Sequence, residues 1–111
     1  VYESYIREYL IKKNCNNKVN TLHKQAIKYV NANAQSKVIH TIENDLTEEE
    51  MRIFKRGRNQ KSNTAPKNMD IVDYKHATGF EALIGYLYLD KQIDRLEEIV
   101  RRGIAIIEED M

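Results

Sequence analysis

The 111-residue sequence holds one cysteine, one proline and four glycines. Cys15 has no partner, so an internal disulfide is excluded. With no His/Cys cluster around it, the lone thiol gives no zinc site and fits a reducing, cytoplasmic setting. The four glycines form no recognised phosphate-cradling arrangement. Ala82 to Leu89 is the longest apolar run, too short to cross a bilayer, and no signal peptide is visible. Ser4, Ser36 and Ser62 lack the context of an activated nucleophile, and His23, His40 and His76 are not at metal-ligand spacings. Alternating apolar and polar residues, the mark of a half-buried strand, are also missing, which leaves an all-α single domain.

Negative charge is missing from long stretches. From Tyr9 to Ile42 there is no acid, while Lys12, Lys13, Lys18, Lys24, Lys28 and Lys37 fall there. From Met51 to Met69 there is again none, against Arg52, Lys55, Arg56, Arg58, Lys61 and Lys67. A formal net charge of +1 can therefore hide a cationic face of the kind that binds polyanions. Taken one at a time, these lysines read equally as solvent-facing helix residues.

What is present is helical periodicity. Tyr2, Tyr5, Ile6, Tyr9 and Leu10 recur at helical spacing, with Glu3 and Arg7 paired at i,i+4. "VYESYIREYL" already reads as helix interior, with no cap before it, which points to a natural N-terminus upstream of Val1. A second helix is expected from about Asn20 or Thr21, burying Leu22, Ala26 and Val30. "NANA" weakens it, and a third segment runs through Val38, Ile39 and Ile42. Thr47 and Glu50 form a capping box for the next helix, which Lys55 and Arg56 suit at the far end, with Gly57 expected in the left-handed position just past it. Pro66 keeps "FKRGRNQKSNTAPKN" from continuing as helix. Asn68, Asp70 or Asp73 caps the following helix, and Ile93, Leu96, Val100 and Ile107 mark the last one.

Within "ATGFEALIGYLYL", Glu81 is the one carboxylate in an otherwise uncharged stretch. It shares a helix side with Tyr74, Ala77, Thr78, Gly85 and Tyr88, away from Phe80, Leu83 and Leu87. That side reads as solvent face, yet it is poor in Lys, Arg and Gln. A carboxylate on a rigid helix beside small residues suits a hard cation such as Mg2+. Gly85 reads as a close helix–helix contact.

"GFEALIGYLYLD" resembles the ribonuclease III helix that carries an Asp-x-x-Glu-Ala pair. "RGRNQKSNTAPKN", "LHKQAIKYVNANAQSKVIH", "LTEEEMRIFKRGRN" and "VYESYIREYL" are similar to the Mini-ribonuclease III branch of that family. The resemblance spans essentially the whole chain. It implies an all-α endonuclease fold without a double-stranded-RNA-binding domain, acting as a homodimer with Mg2+ on double-stranded RNA. It further implies maturation of the large-subunit (23S) ribosomal RNA precursor, leaving 5′-phosphate and 3′-hydroxyl ends. The implied partners are that RNA, a second copy of the chain and ribosomal proteins, with no membrane. An alternative reading is a non-catalytic helical RNA-binding module of ribosome assembly.

By this resemblance Glu81 is the catalytic, metal-binding glutamate, and Thr78 stands where longer relatives have the Asp of the pair. The second catalytic carboxylate belongs to a Gly-Asp-Ala motif directly before Val-Tyr-Glu. The chain begins at Val1, without that Asp, so as given it is expected to bind Mg2+ poorly and to be inactive or nearly so. The long loop then reads as the RNA-binding element on two grounds, its composition and the resemblance. Lys55, Arg56, Arg58, Lys61 and Lys67 supply phosphate contacts, while Asn59, Ser62, Asn63 and Asn68 supply donors for sugars and groove edges.

Overall fold

The structure, a computed structural model, describes residues 1–13, 18–60 and 70–111. Six α-helices follow one another: α1 (Tyr2–Lys13), α2 (Val19–Val30), α3 (Ala32–Ile42), α4 (Glu48–Arg58), α5 (Ile71–Leu89) and α6 (Ile93–Glu109), with one 3₁₀ turn, Glu43–Asp45, before α4. No strand occurs among the described residues, and none of their helices is long and apolar enough to cross a membrane. The all-α expectation holds.

α5 is the central element. Phe80, Leu83, Ile84 and Leu87, at i, i+3, i+4 and i+7, point inward and are almost wholly buried. Burial of each contributes on the order of 1.5–3 kcal/mol relative to exposure. α4 and α3 pack against α5, α1 lies on α2 and α6, and α3 touches α6. Phe80 meets Tyr2 edge to face, with ring centroids 4.9 Å apart, so the start of α1 is pinned to the middle of α5.

Local chemistry sets the helix ends. Asn31 closes α2 and opens α3, its side chain accepting a 2.8 Å hydrogen bond from the Ala34 amide. The break sensed at "NANA" is thus a capping asparagine and not a frayed helix. Thr47 and Glu50 make the expected capping box. Of the three caps proposed for α5, Asp70 does the work, accepting from the Val72 and Asp73 amides.

Two glycine readings change. Gly57 lies inside α4, and no glycine has positive φ. A Cβ at Gly57 would sit 2.7 Å from the Ala82 Cβ, and one at Gly79 would sit 2.7 Å from the Phe54 carbonyl oxygen. Gly57 and Gly79 therefore let α4 and α5 touch backbone to backbone. Gly85, expected to fill that role, has open space around it. The chain reverses between α5 and α6 at Lys91, whose φ of 60° is the one left-handed non-glycine conformation among the described residues.

Two carboxylates tie the bundle. Glu50, 4% exposed, accepts from Arg95 of α6 through Nε (2.9 Å, to Oε2) and Nη2 (2.9 Å, to Oε1). Burial pushes its carboxyl up, but the Arg95 fork and the Thr47 amide outweigh that and hold it below the usual range. Glu108 of α6 accepts from the hydroxyls of Tyr9 (2.6 Å) and Tyr29 (2.9 Å) and from Lys13 (3.1 Å), joining α1, α2 and α6. Those bonds, Tyr9 first, hold its carboxyl below the ordinary value.

Candidate active site and cationic face

Since Phe80, Leu83 and Ile84 of α5 turn inward, Glu81 comes out on the opposite side, exposed, between Thr78 and Gly85. It is not on a featureless solvent face. It lines a cleft of about 360 Å³ together with Gln35 of α3, Val30, and Val1, Tyr2 and Glu3 at the start of α1. Gly85 forms open floor there, which explains a glycine with no close neighbour.

The polar groups of the cleft are unequally engaged. Glu3 accepts from Arg7 through Nε (3.2 Å) and Nη2 (2.8 Å), and the same Nη2 lies 3.1 Å from His23 Nδ1. Among the described residues Glu81 has a single donor, Gln35 Nε2 at 3.2 Å. Gln35 is 3% exposed, also donates to the Val30 carbonyl at 2.8 Å, and leaves its own Oε1 without a partner. Thr78 donates its hydroxyl to the Tyr74 carbonyl at 2.9 Å, a bond within its own helix. Among the described residues no three His, Cys, Asp or Glu side chains gather as a metal-binding group.

Gln35 was missed in the sequence, although a signal existed. It stands at i, i+3, i+4 and i+7 with Val38, Ile39 and Ile42, a polar residue in a core register.

The cationic residues come from the last turn of α4. Lys55 and Arg56 are exposed, whereas Arg58 is half-buried, its guanidinium 5.6 Å from the Phe54 ring centroid and its Nε 3.1 Å from Asn59 Oδ1. Asn59 caps the helix. Because Gly57 abuts Ala82 and Gly79, this turn is fixed against the helix that carries Glu81. Lys61, Ser62, Asn63, Lys67 and Asn68 lie outside the described residues, as does Cys15.

The histidines do not join the cleft as a set. His40 and His76 meet at a 37° tilt with centroids 4.4 Å apart, and His76 Nδ1 lies 2.8 Å from the Val72 carbonyl, so that nitrogen carries a hydrogen. A protonated Nδ1 cannot ligate a metal.

The Ribonuclease III domain model matches residues 1–92. The Mini-ribonuclease 3 of Clostridium tetani is 55% identical over 98% of this chain and 72% of its own length. That of Streptococcus pneumoniae is 47% identical over 97% of this chain and 85% of its own. A crystal structure of a Fusobacterium nucleatum protein superposes with a TM-score of 0.84 at 34% identity, covering 99% of this chain and 84% of that one.

Proposed function

The chain belongs to the ribonuclease III family, and from that premise we propose that it forms the catalytic domain of a Mg2+-dependent endoribonuclease that cuts double-stranded RNA and matures the large-subunit (23S) ribosomal RNA precursor. One observation carries the reading. Among the described residues, Glu81 is the carboxylate of the cleft that no cation neutralises, held by one neutral amide.

The residues fit a hard cation in kind. Glu81 offers carboxylate oxygen, and the cleft has room for the water ligands that Mg2+ retains when one or two carboxylates bind it. A second carboxylate is needed, since Glu3 is taken by Arg7. The family resemblance places an Asp two residues before Val1, and Val1 and Glu3 line the cleft, so that Asp would be the second carboxylate. When bound, Mg2+ would lower the pKa of a coordinated water and stabilise charge at phosphorus.

Glu81 holds negative charge where the ion is needed. Lys55, Arg56 and Arg58 neutralise phosphates of a duplex laid along the α4 end, and Asn59 reaches sugar or groove atoms. The arrangement suits recognition of A-form shape. Cutting both strands calls for two clefts facing opposite backbones, which a homodimer's two-fold axis supplies.

The test is cleavage of a uniform RNA duplex by the full-length protein across a Mg2+ titration, with the new ends mapped. Cutting that requires Mg2+, spares single strands and leaves 5′-phosphates is the expected result. Equal cutting in chelator, or preference for single strands, overturns the reading. Sedimentation at micromolar concentration checks the dimer.

A further inference from the structure

We propose that Gln35 is a positioning residue for Glu81: an amide clamp, braced on the end of α2, that fixes the glutamate's carboxylate without neutralising it. The proposal rests on the reading of Glu81 as the ion-binding carboxylate. It concerns a different residue, on a different helix.

The amide's orientation is determined by its neighbours. Nε2 carries two hydrogens, and two acceptors stand opposite it, the Val30 carbonyl at 2.8 Å and Glu81 Oε1 at 3.2 Å. Flipping the amide would set an oxygen against two oxygens. The shorter bond goes to a carbonyl in the last turn of α2, which has no partner further along its own helix. That bond fixes the amide plane, and the second hydrogen is left aimed at Glu81. One carboxylate oxygen is thereby held, and the other stays free for the cleft.

The remaining atom argues against a merely structural glutamine. Oε1 is buried with no partner. A buried acceptor left unsatisfied destabilises a fold, and native structures rarely keep one without a reason. Val38, Ile39 and Ile42 show what this face of α3 otherwise carries, and an aliphatic residue at position 35 would remove the orphan acceptor but also the donor to the Val30 carbonyl. Its bond to Val30 is local, and its one long-range bond goes to Glu81.

The choice of donor has a chemical meaning. Glu50, Glu3 and Glu108 each carry a cation: Arg95, Arg7, and Lys13 beside two tyrosine hydroxyls. Asp73 and Asp90 instead take an exposed amide, Asn33 at 3.1 Å and Gln92 at 2.8 Å. The amide on Glu81 differs from those in being buried and braced on a second acceptor. A guanidinium on Glu81 would cancel the charge that attracts a divalent ion. A neutral amide restricts the carboxylate's rotation, while the full negative charge remains available. Donors that orient a metal-binding group in this way are typically worth about 10–100-fold in ion affinity or activity.

The test is Gln35→Met in the full-length protein, a near-isosteric change that removes the donor and the orphan acceptor together. Mn2+ binding is read by paramagnetic resonance, Mg2+ dependence by single-turnover cleavage, duplex affinity in chelator and melting separately, with Glu81→Gln beside it. The expected result is Mn2+ affinity and apparent Mg2+ affinity both weaker by about 10-fold or more, duplex affinity within twofold, and melting nearly unchanged. Gln35→Asn, one methylene too short to span both acceptors, should repeat the shift in ion affinity. If Glu81→Gln abolishes Mn2+ binding while both Gln35 variants bind it as wild type does, the clamp is wrong and the reading of Glu81 stands. If Glu81→Gln itself binds Mn2+ and cuts normally, the reading of Glu81 falls and the clamp with it. Loss of folding in both Gln35 variants makes the residue structural and overturns the proposal.

Discussion

Glu50 and Glu81 stand at two places on the same pair of packed helices, and they are opposites in exposure and in partners. Glu50 is almost fully buried, receives two bonds from one guanidinium and one from the Thr47 amide, and closes a capping box. Glu81 is exposed to a cleft and receives one bond from a neutral amide. The first carboxylate has spent its bonding capacity on the fold. The second keeps most of its lone pairs and all of its charge free. Between these two residues, what already holds the carboxylate tells the same story as burial, and the cleft adds what neither gives.

The contrast breaks most severely at Glu50. Glu50→Ala removes the capping box and two bonds to the Arg95 guanidinium, which is 25% exposed and keeps Glu98 and the Asp45 carbonyl, so about 2–3 kcal/mol of stability should be lost. Chemical denaturation measures this, and the rate per folded molecule should stay near wild type.

A smaller effect is expected at the cationic turn. Neutralising Arg56 and Arg58 together should weaken all duplexes by about 1–2 kcal/mol and lower the log–log salt slope by roughly two units. Binding titrations across a salt series check both. An unchanged affinity and slope would mean that the α4 end does not meet RNA.

Acid sharpens the comparison next. Glu50 and Glu108 have carboxyls held below the ordinary value, so they release protons more readily folded than unfolded. Their stabilisation is complete above the unfolded value of about 4.3 and is lost as pH falls through their lower folded values. Stability should decline from this source as pH falls below about 4, and Glu50→Gln should flatten the decline. Denaturation midpoints across pH 2–7 read it out.

The smallest expected change lies far from either carboxylate. Lys91 occupies left-handed backbone at the end of α5, where the Gln92 amide bonds back to the Leu87 carbonyl at 2.9 Å. Lys91→Gly should stabilise by about 0.5 kcal/mol, visible as a slight rise in melting temperature.

Much of this architecture could be read from the sequence because it is local. The period of α5, the Thr47–Glu50 box, the break at Asn31 and the outward turn of Glu81 each depend on residues within a turn or two. What could not be read depends on distant partners. Gly57 matched a helix-end signal, but its role is set by Ala82 and Gly79 across the helix contact, and Gly85 looked like a contact residue until the cleft beside it was seen. Glu50 read as a cap, with nothing to announce Arg95 forty-five positions later. Gln35 differs: its place in an apolar register was visible, but its partner Glu81 was not.

The sharpest single measurement applies one substitution, Glu→Gln, at both carboxylates of the full-length protein and reads melting temperature and single-turnover duplex cleavage for each. Glu81→Gln should melt within about 2 °C of wild type. Its cleavage should slow by a factor on the order of 10³, or roughly 4 kcal/mol in the barrier, as expected when an ion-positioning ligand is lost. Glu50→Gln should reverse the pattern, melting several degrees lower at an undiminished rate per folded molecule. A Glu81→Gln protein that cuts as fast as wild type would contradict the assignment outright, because the lightly held carboxylate would then be only a solvated side chain.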